Sequence, residues 1–319
     1  MTPRVRTWWS RLHLAPDGRP RPDAPFGRGP LAARVLAGVI SFAVWAGSRT
    51  PSPVAHRLAV LGGTLEWALR PGKRRRLAVN IGHAVGLPAG HRRVRRLVRR
   101  EIRNEAHRSA DLLWALGRPA EFLAAIDVEG IEHAQRRLAA GRGIVLMGVH
   151  IGGWELATVI PRAMLPAPAT AIVADNWLAW AIQHMRASVG LRIAYRSDPI
   201  SRLGGLLRAG EAVIVLGDDA SGDRPRMHKV PFCDAVAELP AGGVTLARLY
   251  GAAIVPFVVV RLGPRRWKLI IDPAIDPPPR HSGVAGDLET LQRIAAGWTE
   301  LVRTYPDQWS ASYPIAWLD

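Results

Sequence analysis

The segment GVHIGGWELA, residues 148–157, follows the apolar run GIVLM and brings a histidine, two glycines and a glutamate close together in the chain. An imidazole can remove a proton from a hydroxyl when its other ring nitrogen donates to a carboxylate. That partner fixes the tautomer and stabilises the imidazolium. Glu155 is the nearest candidate for such an acid. On a regular helix, residues five apart lie about 140° from one another, so His150 and Glu155 can meet only if the chain turns between them. Gly152 and Gly153 permit that turn, and a close backbone approach to a bound substrate group. The following WELATVIPRAM is expected to begin a helix whose free N–H groups favour an anion or a developing oxyanion.

A general base needs a nucleophile, and the chain supplies no recognisable one. It contains no G-x-S-x-G elbow, H-E-x-x-H zinc motif, Walker A loop or G-x-G-x-x-G fingerprint. The single cysteine, Cys233, lies in PFCDA without a cysteine-protease signature. One cysteine also excludes an internal disulfide and any all-cysteine metal site, which fits a reducing compartment. The attacking hydroxyl is therefore expected to belong to the substrate, and the electrophile to be an activated acyl group. Neither a metal nor a bound cofactor is expected.

The elements that must hold this segment can be read from the apolar pattern. Beyond residue 125 come short β-type runs: GIVLMGV (143–149), ATAIVAD (169–175), LRIAY (191–195), AVIVLGD (212–218), AAIVPFVVV (252–260) and WKLIIDPAI (267–275). Helical patterns lie between several of them, at 177–189, 200–209 and 240–250, and LETLQRIAAGWTELVRTY follows the last. Near-continuous apolar strands alternating with helices predict an α/β fold with a mostly parallel central sheet flanked by helices. His150 then sits just past the carboxyl end of a strand, where open α/β sheets place ligands.

Other polar residues fall at similar places. Asn176 precedes a predicted helix and suits either a cap or a substrate contact. Arg186 could meet a phosphate or lie on a helix surface, and Arg196 is a weaker phosphate candidate. Asp218 and Asp219 end the AVIVL strand, where they could hold a cation or orient Arg224 or Arg226. His184, His228 and His281 show no ligand spacing.

The N-terminal half reads differently. Lys and Arg number 43 against 26 acids, giving a formal charge of +17 and implying an acidic partner. Residues 1–30 form a basic, Pro-rich tail expected to be flexible. LAARVLAGVISFAVWAG (31–47) is the short end of a membrane span, and equally a helix lying on a membrane or in a core. A second apolar stretch, VAHRLAVLGGTLEWALR, follows, so residues 31–70 are read as a hydrophobic, helical, membrane-associating part before a catalytic domain over 71–319. Between residues 91 and 103 seven arginines flank an apolar stripe of Val94, Leu97, Val98, Ile102 and Ala106, the pattern of an amphipathic helix. Its basic side suits solvent or an anionic lipid surface, each basic side chain contributing about 1 kcal/mol at such a surface. Nucleic acid is disfavoured, because stacking aromatics and the known recognition signatures are missing.

In these motifs the chain resembles the lipid A biosynthesis lauroyl/myristoyl acyltransferases, a superfamily that includes the mycobacterial phosphatidylinositol mannoside acyltransferase. VHIGGWELA is similar to the family's His-x4-acid motif. The similarity continues in order through IVADN with Arg186 ten residues after Asn176, AVIVLGDDASG with its paired acids, KVPFCDAVAELPAG, VTLARLYGAAIVPF and YPDQW, over residues 75–309. The resemblance implies transfer of a fatty acyl chain from acyl carrier protein or acyl-CoA to a hydroxyl of a membrane glycolipid, at the cytoplasmic face of a bacterial inner membrane. It implies His150 as base and Glu155 as its acid, with Gly152, Gly153, Asn176, Arg186, Asp218 and Asp219 around the substrate and no metal. The chain departs from the lipid A branch in reading HIGGWE where many relatives carry G-N-W, and in ending SASYPIAWLD without an Arg-rich "W.HRR" tail. Two other readings stay open: a thioesterase or lysophospholipid hydrolase using the same dyad, and a noncatalytic lipid-binding relative.

Overall fold

The computed structural model describes residues 30–174, 189–220 and 227–318. The expected basic tail, Asn176, His184, Arg186, Arg224 and Arg226 lie outside the described residues, as does nearly all of the helix expected at 177–189.

Four helices come first: α1 (Pro30–Arg49), α2 (Ser52–Leu69), α3 (Pro71–Val85) and α4 (Arg92–Gly117). Proline occupies the first turn of α2 and α3, where its missing N–H costs nothing. PGKRRR begins α3. The amphipathic reading of α4 holds in detail. Val94, Leu97, Val98, Ile102 and Ala106 are buried while Arg92, Arg93, Arg95, Arg96, Arg99, Arg100 and Arg103 are exposed. Both α1 and α2 pack against α4. A buried polar link strengthens this: His56 Nε2 of α2 meets Asp111 Oδ1 of α4 at 2.8 Å, and Arg261 Nε donates to Asp111 Oδ2 at 3.1 Å.

The rest of the chain builds two sheets. Strands β1 (Ile126–Glu129), β2 (Ile144–Gly152), β3 (Ala169–Val173), β4 (Arg192–Tyr195), β5 (Ala212–Leu216), β8 (Ala253–Gly263) and β9 (Arg266–Ile271) form the large one. Its order is β1-β9-β8-β2-β5-β3-β4, parallel except between β8 and β9. All six strands expected from the sequence are present, in the mostly parallel sheet expected of them. Short β1, and the antiparallel sheet β10-β7-β6 built from β6 (Met227–Phe232), β7 (Ala235–Pro240) and β10 (Ala316–Trp317), were not anticipated.

Helices α5 (Pro119–Ala125), α6 (Ile131–Ala139), α7 (Ile160–Met164), α8 (Ile200–Arg208), α9 (Gly242–Tyr250) and α10 (Gly283–Thr304) complete the fold. Alternate side chains of β2 enter different cores. Val145, Met147 and Val149 join Trp298 and Trp309 on one face, whereas Ile144 and Leu146 join Phe257 and Trp267 on the other. Every residue of β2 is buried, as a central strand covered on both faces requires.

Candidate active site

His150 owes its position to a break in β2. Gly148 pairs with Phe257 of β8, but the next pair is Gly152 with Val259, so the β2 side carries two extra residues. Such bulges re-aim side chains near functional sites. Gly152 closes the bulge at φ +55°, and a Cβ there would lie 2.1 Å from the Val259 carbonyl oxygen. Only glycine fits, because the left-handed backbone and the close strand both exclude a side chain.

The neighbouring strand supplies the acid. β2 and β5 run parallel in register, with Gly148 opposite Leu216. Two residues further along each chain stand His150 and Asp218. His150 Nδ1 lies 2.6 Å from Asp218 Oδ1, with the two side chains 7 % and 1 % exposed. The His150 backbone N–H also reaches both carboxylate oxygens, at 3.1 Å. Trp309 Nε1 donates to Asp218 Oδ2 at 2.9 Å. Since an ionised carboxylate only accepts, Nδ1 carries the proton and Nε2 keeps its lone pair.

Glu155 is therefore not the acid on Nδ1, contrary to the sequence reading. The glycine turn leads into a 3-10 helix, Trp154–Thr158, rather than the expected regular helix. This leaves Glu155 half-buried, close enough to Tyr313 to act on its phenol. Gly152 and Gly153 form the expected turn. Their N–H groups donate to the carbonyls of Gln308 at 2.8 Å and Val259 at 2.7 Å, which fixes the turn. Asp219 is buried and pairs with Arg196 NH2 at 2.6 Å. No cluster of three or more metal-ligating side chains occurs among the described residues.

The segment after α10 completes the site. Ser310 N–H donates to the His150 carbonyl at 2.7 Å, and Ile151 bridges Trp309. The Tyr313 ring lies against the imidazole with centroids 4.1 Å apart, and the Trp154 ring meets it edge-on at 4.8 Å. Burial, with Glu155, Asp219 and Asp218 nearby, pushes the Tyr313 phenol above its ordinary range. This segment is itself tied to the helices. Asn80 of α3 donates to the carbonyls of Ala311 and Tyr313, Asn104 of α4 to that of Asp307, and Arg108 to Ser310 Oγ at 2.9 Å. The imidazole is thus fixed by a strand, its neighbour and the C-terminal segment together. Sequence reasoning met Trp309 only as the end of YPDQW and missed Tyr313. Their signal is tertiary, because nothing local ties either residue to β2.

The model of the bacterial lipid A biosynthesis acyltransferases matches residues 31–311. The chain belongs to that family. Both members of the His150–Asp218 pair and Trp309 lie within the matched region, and Tyr313 lies just beyond it. Comparison with curated proteins returned no match. Membership indicates acyltransferase chemistry of the lipid A biosynthesis type.

Proposed function

We propose that this family member moves a fatty acyl chain from an acyl thioester, on acyl carrier protein or coenzyme A, to a hydroxyl of a membrane glycolipid. The observation that carries this reading is the buried His150–Asp218 pair at 2.6 Å, held at the carboxyl ends of adjacent parallel strands. In the reaction His150 Nε2 takes the hydroxyl proton while the oxygen attacks the thioester carbonyl. The tetrahedral intermediate expels the thiolate, the C–S bond breaks, and the imidazolium returns its proton to sulfur. Asp218 holds the ring and stabilises its cationic form. A thioester is activated enough to need no acyl-enzyme. Arg196, beside Asp219 near the strand ends, is a candidate contact for an anionic part of the donor or acceptor.

The test is direct. Purified protein given a labelled acyl thioester and a bacterial glycolipid extract should yield labelled lipid and free thiol in equal amounts. Thiol release matched by free fatty acid, with or without acceptor, would instead support a hydrolase.

Features of the exposed surface support action at a membrane. No helix among the described residues is long and apolar enough to cross a membrane. Helix α1 exposes Val35, Val39, Phe42 and Trp45, and α2 exposes Val54, Leu58, Leu61, Leu65 and Leu69. On α2 these recur every three or four residues and form one apolar stripe, the arrangement of a helix lying in a lipid interface. With the exposed arginines of α4, it supports attachment to the anionic cytoplasmic face of the inner membrane. Changing Leu58, Leu61 and Leu65 together to Ser should weaken binding to anionic vesicles at least about tenfold. Rising salt should weaken it further through the arginines. Flotation unaffected by either change would contradict this attachment.

A further inference from the structure

Asp218 holds the imidazole of His150 by one edge, and Tyr313 covers one of its faces. The Tyr313 and His150 ring centroids are 4.1 Å apart with the planes 30° from parallel, while Trp154 meets the imidazole edge-on at 4.8 Å. The backbone that presents the Tyr313 ring is pinned on both sides. Its N–H donates to the Ser310 carbonyl at 3.3 Å, and its carbonyl accepts from Asn80 Nδ2 at 3.0 Å. Asn80 Oδ1 in turn accepts from Trp317 Nε1 at 2.7 Å. Pro314 follows, which restricts the backbone of Tyr313 further, and the Pro314 carbonyl accepts from the Ala220 N–H at 2.9 Å. Ala220 stands two residues beyond Asp218, so the acid and the aromatic ring are tied to the same strand end. Tyr313 lies beyond the residues matched to the family, and membership does not by itself imply this contact.

We propose that Tyr313 is a positioning residue, whose ring face keeps the imidazole plane fixed and stabilises the imidazolium as His150 takes a proton. An aromatic ring carries negative charge on its faces, and a cation within about 6 Å of the centroid is attracted to it. The neutral imidazole gains little from that field and the imidazolium gains more. The contribution therefore grows as the proton arrives, and it belongs to kcat rather than to substrate binding. The hydroxyl has no part in this role. Burial first, then Glu155, Asp219 and Asp218, keep the phenol protonated, so Tyr313 is not a second base. The charged groups around the two rings come from several elements. Asp218 and Asp219 follow β5, Glu155 sits in the 3-10 helix, and Glu105 acts from α4. Arg196 pairs with Asp219, and Arg108 of α4 holds Ser310. Replacing only the ring at position 313 leaves all of these in place.

The test varies the ring while keeping its shape. Tyr313→Phe keeps the π face and removes the hydroxyl. Pentafluorophenylalanine placed at 313 keeps the shape of Phe and removes the negative charge from the face. Tyr313→Leu removes the face altogether. In full-length protein without substrate, nitrogen NMR follows the His150 ring against pH, its resonances assigned by their loss in His150→Ala. The pH at which the ring is half protonated should match wild type in Tyr313→Phe. It should lie about one unit lower in the pentafluoro and Leu variants, because a cation that has lost its aromatic face releases its proton more readily. In the acyl-transfer assay the pentafluoro variant should lose about threefold in kcat, the share of that shift felt by a half-transferred proton, with KM unchanged. Equal midpoints in the Phe and pentafluoro variants would overturn the proposal. So would a Tyr313→Phe midpoint as low as that of Tyr313→Leu, which would assign the effect to the hydroxyl, or a rise in KM at constant kcat, which would make Tyr313 a substrate contact. Should Tyr313→Leu fail to fold, the Phe and pentafluoro pair still decides. Only the kinetic arm rests on His150 being the base of acyl transfer. A protein inactive in that assay would leave the titration result standing, so the two readings fail separately.

Discussion

Changing His150 to Ala should lower acyl transfer by about 10²–10⁴-fold, the range general-base groups contribute. The expectation rests on the ring being held by its own strand, by Asp218 at the end of the neighbouring strand and by the C-terminal segment. The loss should appear in kcat, because the imidazole acts on the proton as the new C–O bond forms and makes little difference to ground-state binding. Stability should suffer less. The side chain is small, and Asp218 would retain the backbone N–H of residue 150 and the Trp309 indole as donors. A folded variant with wild-type turnover in the thioester assay would remove His150 from the mechanism.

Changing Asp218 to Asn should cost a similar amount, approaching about 10⁴-fold, as expected when an orienting carboxylate is replaced by an amide that can hold the wrong tautomer. An amide offers one oxygen and one NH₂ where the carboxylate accepted three N–H groups. If its NH₂ turns towards the ring, Nδ1 becomes an acceptor, the proton moves to Nε2, and the catalytic lone pair disappears. Glu155→Gln leaves the Asp218 contact intact. Nitrogen NMR of the histidine ring should therefore report an altered tautomer in Asp218→Asn and an unchanged one in Glu155→Gln. The opposite pattern would restore Glu155 as the orienting acid.

The contrast between those two acids shows what the sequence could tell. The strands were legible because β2, β5 and β8 are buried on both faces and so read as unbroken apolar runs. The amphipathic α4 was legible for a similar reason, its arginines and buried stripe alternating at helical spacing. His150 at the end of β2 followed from the same pattern. Its partner did not, because proximity along the chain favoured Glu155, whereas proximity in space is set by the register of β2 against β5. The clue was available: GIVLMGVH and AVIVLGD both place a proton-active residue at the end of an apolar run, and parallel neighbours align such ends. The contribution of Trp309 and Tyr313 had no comparable signal, since it depends on how the segment after α10 returns across the bulge. The glycines were legible as a turn, whereas the close approach of Val259 and Gln308 to that turn is invisible in sequence.

The most direct test of the account is the lipid profile of cells in which the chromosomal copy carries only His150→Ala. The variant protein should be present at normal abundance and on the membrane. Mass spectrometry of total lipids should show one glycolipid class short of a single fatty acyl chain, with the unacylated precursor accumulating. An unchanged profile, in cells where deleting the whole protein does change it, would mean that the scaffold matters and the imidazole does not.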